Sequence, residues 1–600
     1  MSTTRTSGKR WRSARYGTAA IAVLALGVVS ACSNTATSST PSTGSSATGT
    51  AAASGGGSTT QFPRNETLFT SGTMYGPPST WNPLNTGNYE TGAQGLVYES
   101  LNLYNPENAS SPYMPWLATN TPSTGWQGNK YVIDVRSGVK WSNGTPLTAN
   151  DVAFSINLAA GNSLDPYNQN VTGAHASVSG NTVTVTFKGT PGYTEFNDYL
   201  WKAPVLPQSI WSKIPASQIE TYADTSPVGS GPMTLDTYNT TEAAYQTNPN
   251  WWGKSALGLN FKFKYLVDVV NGSNDQMLGQ VTSANIDWSN NFLPGINGLA
   301  TTLGGNGGYT LKFYYPSSPY MLSGNTVWLE PNTAKAPMNN VNFRRALSYA
   351  LNPQFIAQNV YGGIATASNP VGLLPNLVQA GYLNQSVVSQ YAATYNPTKA
   401  EAALRAAGYH GQTITIQAPA GWTDWDQALG TIKHELQAVG INVSILEPTS
   451  NARTDNLTSG NYDLALDNNA TLDSTPWSYF QRVFQLPISA QQTAQMNWER
   501  YTSQSDWSLV QEAGTTPPSD TSKLSSIYAT LEKDFLQNQP EIPLWYNGVW
   551  FQGNTTYWQN FPSSGGSDQY IPAMWRGYLG AMTTVYALAN LQPNPSAPKS

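Results

Sequence analysis

Cysteine is almost absent: Cys32 is the only one in 600 residues. One thiol closes no internal disulfide and builds no thiolate metal cluster. Histidine is scarce as well. His175, His410 and His434 stand far apart in sequence, which argues against a dense imidazole metal site. Charged residues make up 10% of the chain, against about a quarter in ordinary globular proteins. Positive charge is scarcer still beyond residue 31. The first 31 residues hold Arg5, Lys9, Arg10, Arg12 and Arg15 and no acid, and after them acids outnumber bases by ten (29 basic residues less five, against 34 acidic). Nothing basic remains to cover a phosphate backbone, so nucleic acid is excluded as a partner. Long apolar runs are missing too. The most apolar stretch, residues 19–29, falls well short of the roughly 20 residues a spanning helix needs.

That stretch, with its basic approach, reads instead as an export signal. It ends in Val29-Ser30-Ala31-Cys32, which resembles the bacterial lipoprotein box, where the cysteine is lipidated and becomes the first residue. Acyl chains on Cys32 would hold the protein at the outer face of a membrane. Residues 33–60 are Ser, Thr, Ala and Gly with one Asn, one Pro and no charge. Such a composition buries too little apolar area to offset its ordering entropy and predicts a flexible tether. The folded part should start near Phe62. It is too long for a single core, since cores stop growing near 250–300 residues. Aromatic residues are abundant at 12%, with 20 Trp and 33 Tyr, and a neutral aromatic surface suits uncharged polar ligands.

Local patterns give an α/β class with some antiparallel sheet. Asn396 and Pro397 predict a helix start and Gly408 its left-handed stop, with Ala400, Ala403, Leu404 and Ala407 on one face. Residues 413–418 alternate like a strand, 421–425 read as a loop, a helix should run from about Asp426 to Val439, and 441–446 form a second strand. This is a βαβ unit with parallel strands. Ligands collect at the carboxyl ends of such strands, and the loop there carries Trp422 and Trp425. Residues 131–136 and 181–187 alternate as further strands, and Thr148 with Asp151 predicts a capping box for a helix through about Leu158.

Residues 139–152 (Val-Lys-Trp-Ser-Asn-Gly-Thr-Pro-Leu-Thr-Ala-Asn-Asp-Val), 227–232 (Pro-Val-Gly-Ser-Gly-Pro), 248–253 (Asn-Pro-Asn-Trp-Trp-Gly), 342–352, 396–409, 439–441 and 542–546 resemble, in this order, the motifs of the family 5 extracytoplasmic solute-binding proteins of ABC importers. The resemblance spans roughly residues 62 to 562. It implies a two-lobed periplasmic-binding-protein fold with an extra subdomain and a ligand cleft between the lobes. It further implies a signal peptide over 1–31, a tether over 32–61, lobe one over 62–315 with the subdomain at about 95–195, lobe two over 316–544, and a return to lobe one over 545–600. Its implied partners are a small-molecule ligand, the permease and ATPase subunits, and the membrane through the lipid anchor. It implies a monomer, no catalytic residue, no metal and no cofactor.

Family members that bind peptides fix the ligand's α-amine with an aspartate four residues before a proline. The corresponding segment here, 472–480, places Leu472 at that position and Asp473 beside it. Indole rings instead suit sugars, whose C–H faces stack on aromatic rings while polar groups meet the hydroxyl rim. The expected ligand-binding residues are therefore Trp81, Trp288, Trp422, Asp424, Trp425, Asp473, Trp477 and Trp545. They lean towards a short β-linked oligosaccharide such as a cellodextrin, with an oligopeptide or dipeptide as the alternative. Trp251 and Trp252 read as structural, and Arg344 and Arg345 as packing residues. A secreted glycoside hydrolase is a remote alternative, because no motif pairs the available carboxylates. A nickel or haem carrier conflicts with the low histidine count, and an adhesive or signalling lipoprotein would have the same sequence features.

Overall fold

The computed structural model describes residues 62–598 apart from 73, 75, 86–89, 91, 109, 297, 300–309, 421, 470–471, 491–495, 566–568 and 574–582. The export segment, Cys32 and the tether lie outside the described residues.

Two large sheets and a four-stranded one organise the described chain, with two further two-stranded pairs. The first has seven strands in the order Leu311–Lys312, Gln552–Asn554, Trp288–Ser289, Thr67–Ser71, Tyr265–Val269, Glu242–Thr247 and Met233–Tyr238. Thr67–Ser71 runs parallel to both Tyr265–Val269 and Trp288–Ser289. The second has six strands in the order Thr366–Ala367, Ile542–Val549, Leu322–Pro331, Leu464–Asn469, Ile414–Gln417 and Val443–Leu446. Ile414–Gln417 is parallel to both Val443–Leu446 and Leu464–Asn469. The chain crosses from the first sheet to the second between 312 and 322, and back between 549 and 552. A separate four-stranded antiparallel sheet, Trp126–Gln127, Lys130–Asp134, Thr182–Phe187 and Ala174–Ser179, is covered by helix Ala149–Gly161.

Local signals explain several elements. Helix Pro397–Ala407 has Pro397 in its first turn, Asn396 accepting from the Lys399 amide, and Gly408 at φ 67°. The Thr148 amide donates to Asp151 Oδ2 at 2.8 Å, and the helix behind this box extends to Gly161. The βαβ unit is present, but its helix is Thr423–Ala438 and starts three residues earlier than expected. Trp425, Ala428, Leu429, Ile432 and Leu436 form one buried stripe, so the helical period already includes Trp425. Asp424 and Asp426 in the first turn face the positive end of the helix dipole. Of the expected loop at 421–425, Trp422 precedes the helix and Gly421 lies outside the described residues.

The Gly-Ser-Gly motif has a steric cause. A Cβ on Gly229 would stand 1.8 Å from the Val97 carbonyl oxygen, and one on Gly231 2.2 Å from that of Leu96. The backbones touch because the Gly231 amide donates to Val97 O and the Met233 amide to Leu96 O, both at 2.9 Å. Gly229→Ala or Gly231→Ala should force these segments apart and destabilise by on the order of 3–5 kcal/mol. Denaturant unfolding of the two variants checks this; wild-type midpoints would refute it.

Below this motif lies a buried carboxylate. Glu99 Oε1 accepts from the indole N–H groups of Trp116 and Trp251 at 3.0 and 3.1 Å. Its Oε2 accepts from Trp252 at 2.9 Å and from the Ser230 hydroxyl at 2.7 Å. Burial raises the Glu99 pKa to about 7, while these four donors hold it down. Trp251 and Trp252 are structural, as their sequence context suggested. Arg344 is packed inward as well, donating to the carbonyls of Met338, Asn538 and Gln539.

Candidate functional site: an aromatic junction between the two sheets

The parallel strands of both large sheets direct their carboxyl ends to a common place. Helix Asn274–Thr282 follows strand Tyr265–Val269 in the first sheet, and helix Thr423–Ala438 follows Ile414–Gln417 in the second. Their first residues meet: Asn274 Nδ2 donates to Thr423 Oγ1 at 3.3 Å. Strand ends of an open α/β sheet are where ligands collect.

Aromatic rings fill the junction. Phe292, just past strand Trp288–Ser289, has its ring centroid 5.9 Å from Tyr361 and 5.1 Å from Trp550. Tyr361 lies 5.5 Å from Trp545 and stacks on Trp550 at 6.1 Å and 15°. The Tyr361 hydroxyl donates to Asp424 Oδ2 at 3.1 Å. Burial pushes the Asp424 carboxyl up to about 6, and hydrogen bonds from its backbone and from Tyr361 pull it back. Trp422 and Trp425 pack edge to face at 4.7 Å; Trp425 is buried, whereas Trp422 is 42% exposed. Asn271 Oδ1 is buried without a hydrogen-bond partner, and the Trp545 indole N–H faces the Tyr361 hydroxyl. The surroundings therefore offer flat apolar faces with amide, indole and carboxyl groups at their edges.

The eight expected ligand residues divide into three sets. Trp422, Asp424, Trp425 and Trp545 are brought together at this junction. Trp81 and Trp288 are placed elsewhere: they are as buried as Trp545, but their indole N–H groups are taken up away from the junction, within the first sheet's surroundings. Trp81 Nε1 donates to the Tyr245 hydroxyl at 2.7 Å, and Trp288 Nε1 to Asn290 Oδ1 at 3.0 Å. Their rings build the core of the first sheet, because they sit where a loop and a strand turn inward. Asp473 and Trp477 form the third set. Trp477 is buried with its Nε1 on Val510 O at 3.0 Å, which makes it a helix-packing residue. Asp473 Oδ1 is occupied by the Lys202 ammonium at 2.6 Å and its Oδ2 accepts from the Ser478 hydroxyl.

Sequence reasoning missed Tyr361, Trp550 and Lys202. Trp550 follows directly on a readable strand, and Lys202 stands four residues after Asp198 on a helix, so both left a local trace. Tyr361 left none, since only the tertiary fold carries it to Asp424.

Similarity to known proteins is extensive. Residues 112–489 match the middle region of the bacterial extracellular solute-binding proteins, family 5. The fold superposes on a periplasmic oligopeptide-binding protein of an oligopeptide ABC transporter from Thermotoga maritima with a TM-score of 0.83 and 32% identity, covering 89% of this chain and 100% of that one. The same Thermotoga protein with bound mannohexaose gives a TM-score of 0.80 at the same coverage. Among curated relatives, the probable ABC transporter periplasmic-binding protein SapA of Escherichia coli is 29% identical over 178 residues, 29% of this chain and 31% of that protein. The chain thus aligns with about a third of that relative's length. The two large sheets with their double crossing are the two lobes of this fold. The chain belongs to the bacterial extracellular solute-binding proteins of family 5.

Proposed function

We propose that this chain is the solute-capturing component of an ABC importer and that its ligand is a neutral oligosaccharide. As a member of a solute-binding family it is a binding protein and not an enzyme. The observation that carries the sugar reading is the aromatic junction, where Trp422, Trp425, Trp545, Trp550, Tyr361 and Phe292 meet beside Asp424. Stacked rings with a polar edge complement a pyranose. The Thermotoga relative that holds mannohexaose supports the same reading. The engagement of Asp473 by Lys202 and Ser478 supports it further, because that carboxylate is not left over for a ligand's amine. Oligopeptide binding is the second reading, favoured by relatives named for it, such as the oligopeptide-binding protein OppA of Bacillus subtilis.

Titration calorimetry with mannohexaose, cellohexaose and a tripeptide pool separates the two. The hexaoses should bind and the tripeptides should not; the reverse order would overturn the sugar reading. Trp422→Ala removes the one ring of the junction pair that is open to solvent, so folding should be unaffected. Losing one stacked face, about 1–3 kcal/mol, should weaken hexaose binding by roughly ten- to a hundredfold. Full affinity would take Trp422 out of the site.

The reading extends to the cell surface. Cys32 closes a lipobox-like run, so the mature protein would be tethered by lipid outside the membrane, with residues 33–60 as the leash. Cys32→Ser should then release the protein from washed membranes; complete sedimentation of the variant would refute the anchor. The lobes would turn about the crossings at 313–321 and 550–551; the return to lobe one, expected from 545, then begins only after strand Ile542–Val549, which belongs to the second sheet.

A further inference from the structure

Helix Tyr193–Lys202 has two faces. Phe196, Tyr199 and Leu200 belong to the core of the four-stranded sheet. Glu195, Asp198 and Lys202 follow the i, i+3, i+7 spacing of the other face, and that face meets elements of the second sheet's lobe. Contact there is close. A Cβ on Gly514, in helix Gln504–Thr515, would stand 2.8 Å from Trp477 Nε1 and 3.3 Å from Glu195 Oε2.

Lys202 bridges this boundary. Its ammonium donates to Asp198 Oδ2 at 2.9 Å, within its own helix, and to Asp473 Oδ1 at 2.6 Å, 271 residues away. The remaining carboxylate oxygens are engaged locally: Asp198 Oδ1 accepts from Trp201 Nε1 at 3.2 Å, and Asp473 Oδ2 from Ser478. Three further contacts hold the same loop. The Tyr104 hydroxyl and Asn376 Nδ2 donate to Asp473 O at 2.8 and 3.1 Å, and the Tyr113 hydroxyl reaches Ser474 Oγ at 3.0 Å. Both carboxylates are almost fully buried, while the Lys202 side chain keeps 29% exposure.

We infer that Lys202 is a reversible latch between the four-stranded subdomain and the second lobe, made with Asp473 when the lobes close and broken when they part. Reversibility follows from the partners on each side. After separation Lys202 still has Asp198 four residues back, and Asp473 still has Ser478, so neither half is left with an orphaned charge. Closure adds one nearly buried ion pair to a tyrosine-lined contact. Such a pair is costly to lose one-sidedly. Burial alone would lower the Lys202 pKa, but Asp198 and then Asp473 raise it above its ordinary value, so the ammonium stays charged across the physiological range. The junction rings Trp425 and Trp545 are buried, so any ligand must enter an opened form, and the latch sets how often that form is populated.

This inference concerns closure and does not depend on which ligand is bound. The test places nitroxide labels at Ser177→Cys on the subdomain and Ser505→Cys on the second lobe, both exposed, in the full chain carrying Cys32→Ser. Pulsed dipolar distances are then recorded without ligand and with mannohexaose. Lys202→Met and Asp473→Asn should each shift the ligand-free distribution to longer values, and the double variant should shift it no further than the worse single one. Lys202→Arg should restore much of the short-distance population. If mannohexaose binds the wild type, Lys202→Met should weaken it about tenfold. Wild-type distance distributions in both Lys202→Met and Asp473→Asn would overturn the latch, and so would a double variant shifted by the sum of the two. A wild type that binds tripeptides rather than mannohexaose would overturn the sugar reading and leave these distance predictions standing.

Discussion

Glu99→Leu should abolish stable folding or cost on the order of 5 kcal/mol or more, because four donors lose one shared acceptor. Trp116, Trp251, Trp252 and Ser230 all converge on this carboxylate inside the core. A buried donor left without a partner costs about 1–3 kcal/mol, and leucine offers none of the three indoles a replacement. Glu99→Gln is the graded control. It keeps one carbonyl oxygen for two of the donors but turns an NH₂ group towards the other two, so its loss should be intermediate. Trp116→Phe removes a single donor and leaves the others served; here the loss should reflect mainly the smaller ring. Urea unfolding of the three variants ranks them. A native midpoint in Glu99→Leu would mean that the indole N–H groups have other acceptors, and the account of this core would fail.

The same cluster shows what a linear sequence discloses. The Trp251-Trp252 pair could be recognised as structural from its motif, yet the acceptor it serves lies over 150 residues earlier. Periodicity and capping were legible where the cause is local: Asn396, Pro397 and Gly408 bound a helix, and Thr148 with Asp151 caps one. The start of helix Thr423–Ala438 was misplaced although its stripe was present, because Gly421 and two tryptophans look like loop when read by composition. The candidate site was half legible. Trp422, Asp424, Trp425 and Trp545 were found by strand-end logic and motif, and they do converge. Trp81 and Trp288 stand in segments that resemble sugar-binding relatives; an indole serves a core as well as a cleft, and since Trp545 is equally buried it is the surroundings of the ring, not burial, that distinguish the two. Tyr361, which joins the two halves of the junction through Phe292 and Asp424, carries no local signature at all.

Stability should be greatest near pH 5 and fall towards pH 8, opposite to a protein whose carboxylates are held by salt bridges. Burial raises Glu99 and Glu195 to about 7 and Glu330 to about 8, from an ordinary 4.5. Glu330 stands in a cluster lined also by Asp467, Arg482, Glu499 and Glu541, around a space of about 10 Å³. Burial and the neighbouring carboxylates push Glu499 and Glu541 well above their ordinary value too. Between pH 4.5 and about 7–8 the folded chain therefore holds protons that the unfolded chain has already released. Stability then falls with rising pH, since the state that binds more protons loses ground as protons become scarce. Glu99 alone would contribute a loss of about 3 kcal/mol between pH 4.5 and 7, at about 1.4 kcal/mol per pH unit. Below pH 4.5 both states are protonated at these sites and the gain ends. Asp467 is tied to Arg453 at 2.9 Å. Glu330→Gln mimics the protonated form permanently and should flatten the slope between pH 5 and 8 while sparing stability at pH 5. Urea midpoints measured at pH 5, 6, 7 and 8 for wild type and variant decide it: midpoints that stay level from pH 5 to 8 would show that these carboxyls ionise in the folded state as readily as in the unfolded one, and midpoints that climb that they ionise more readily.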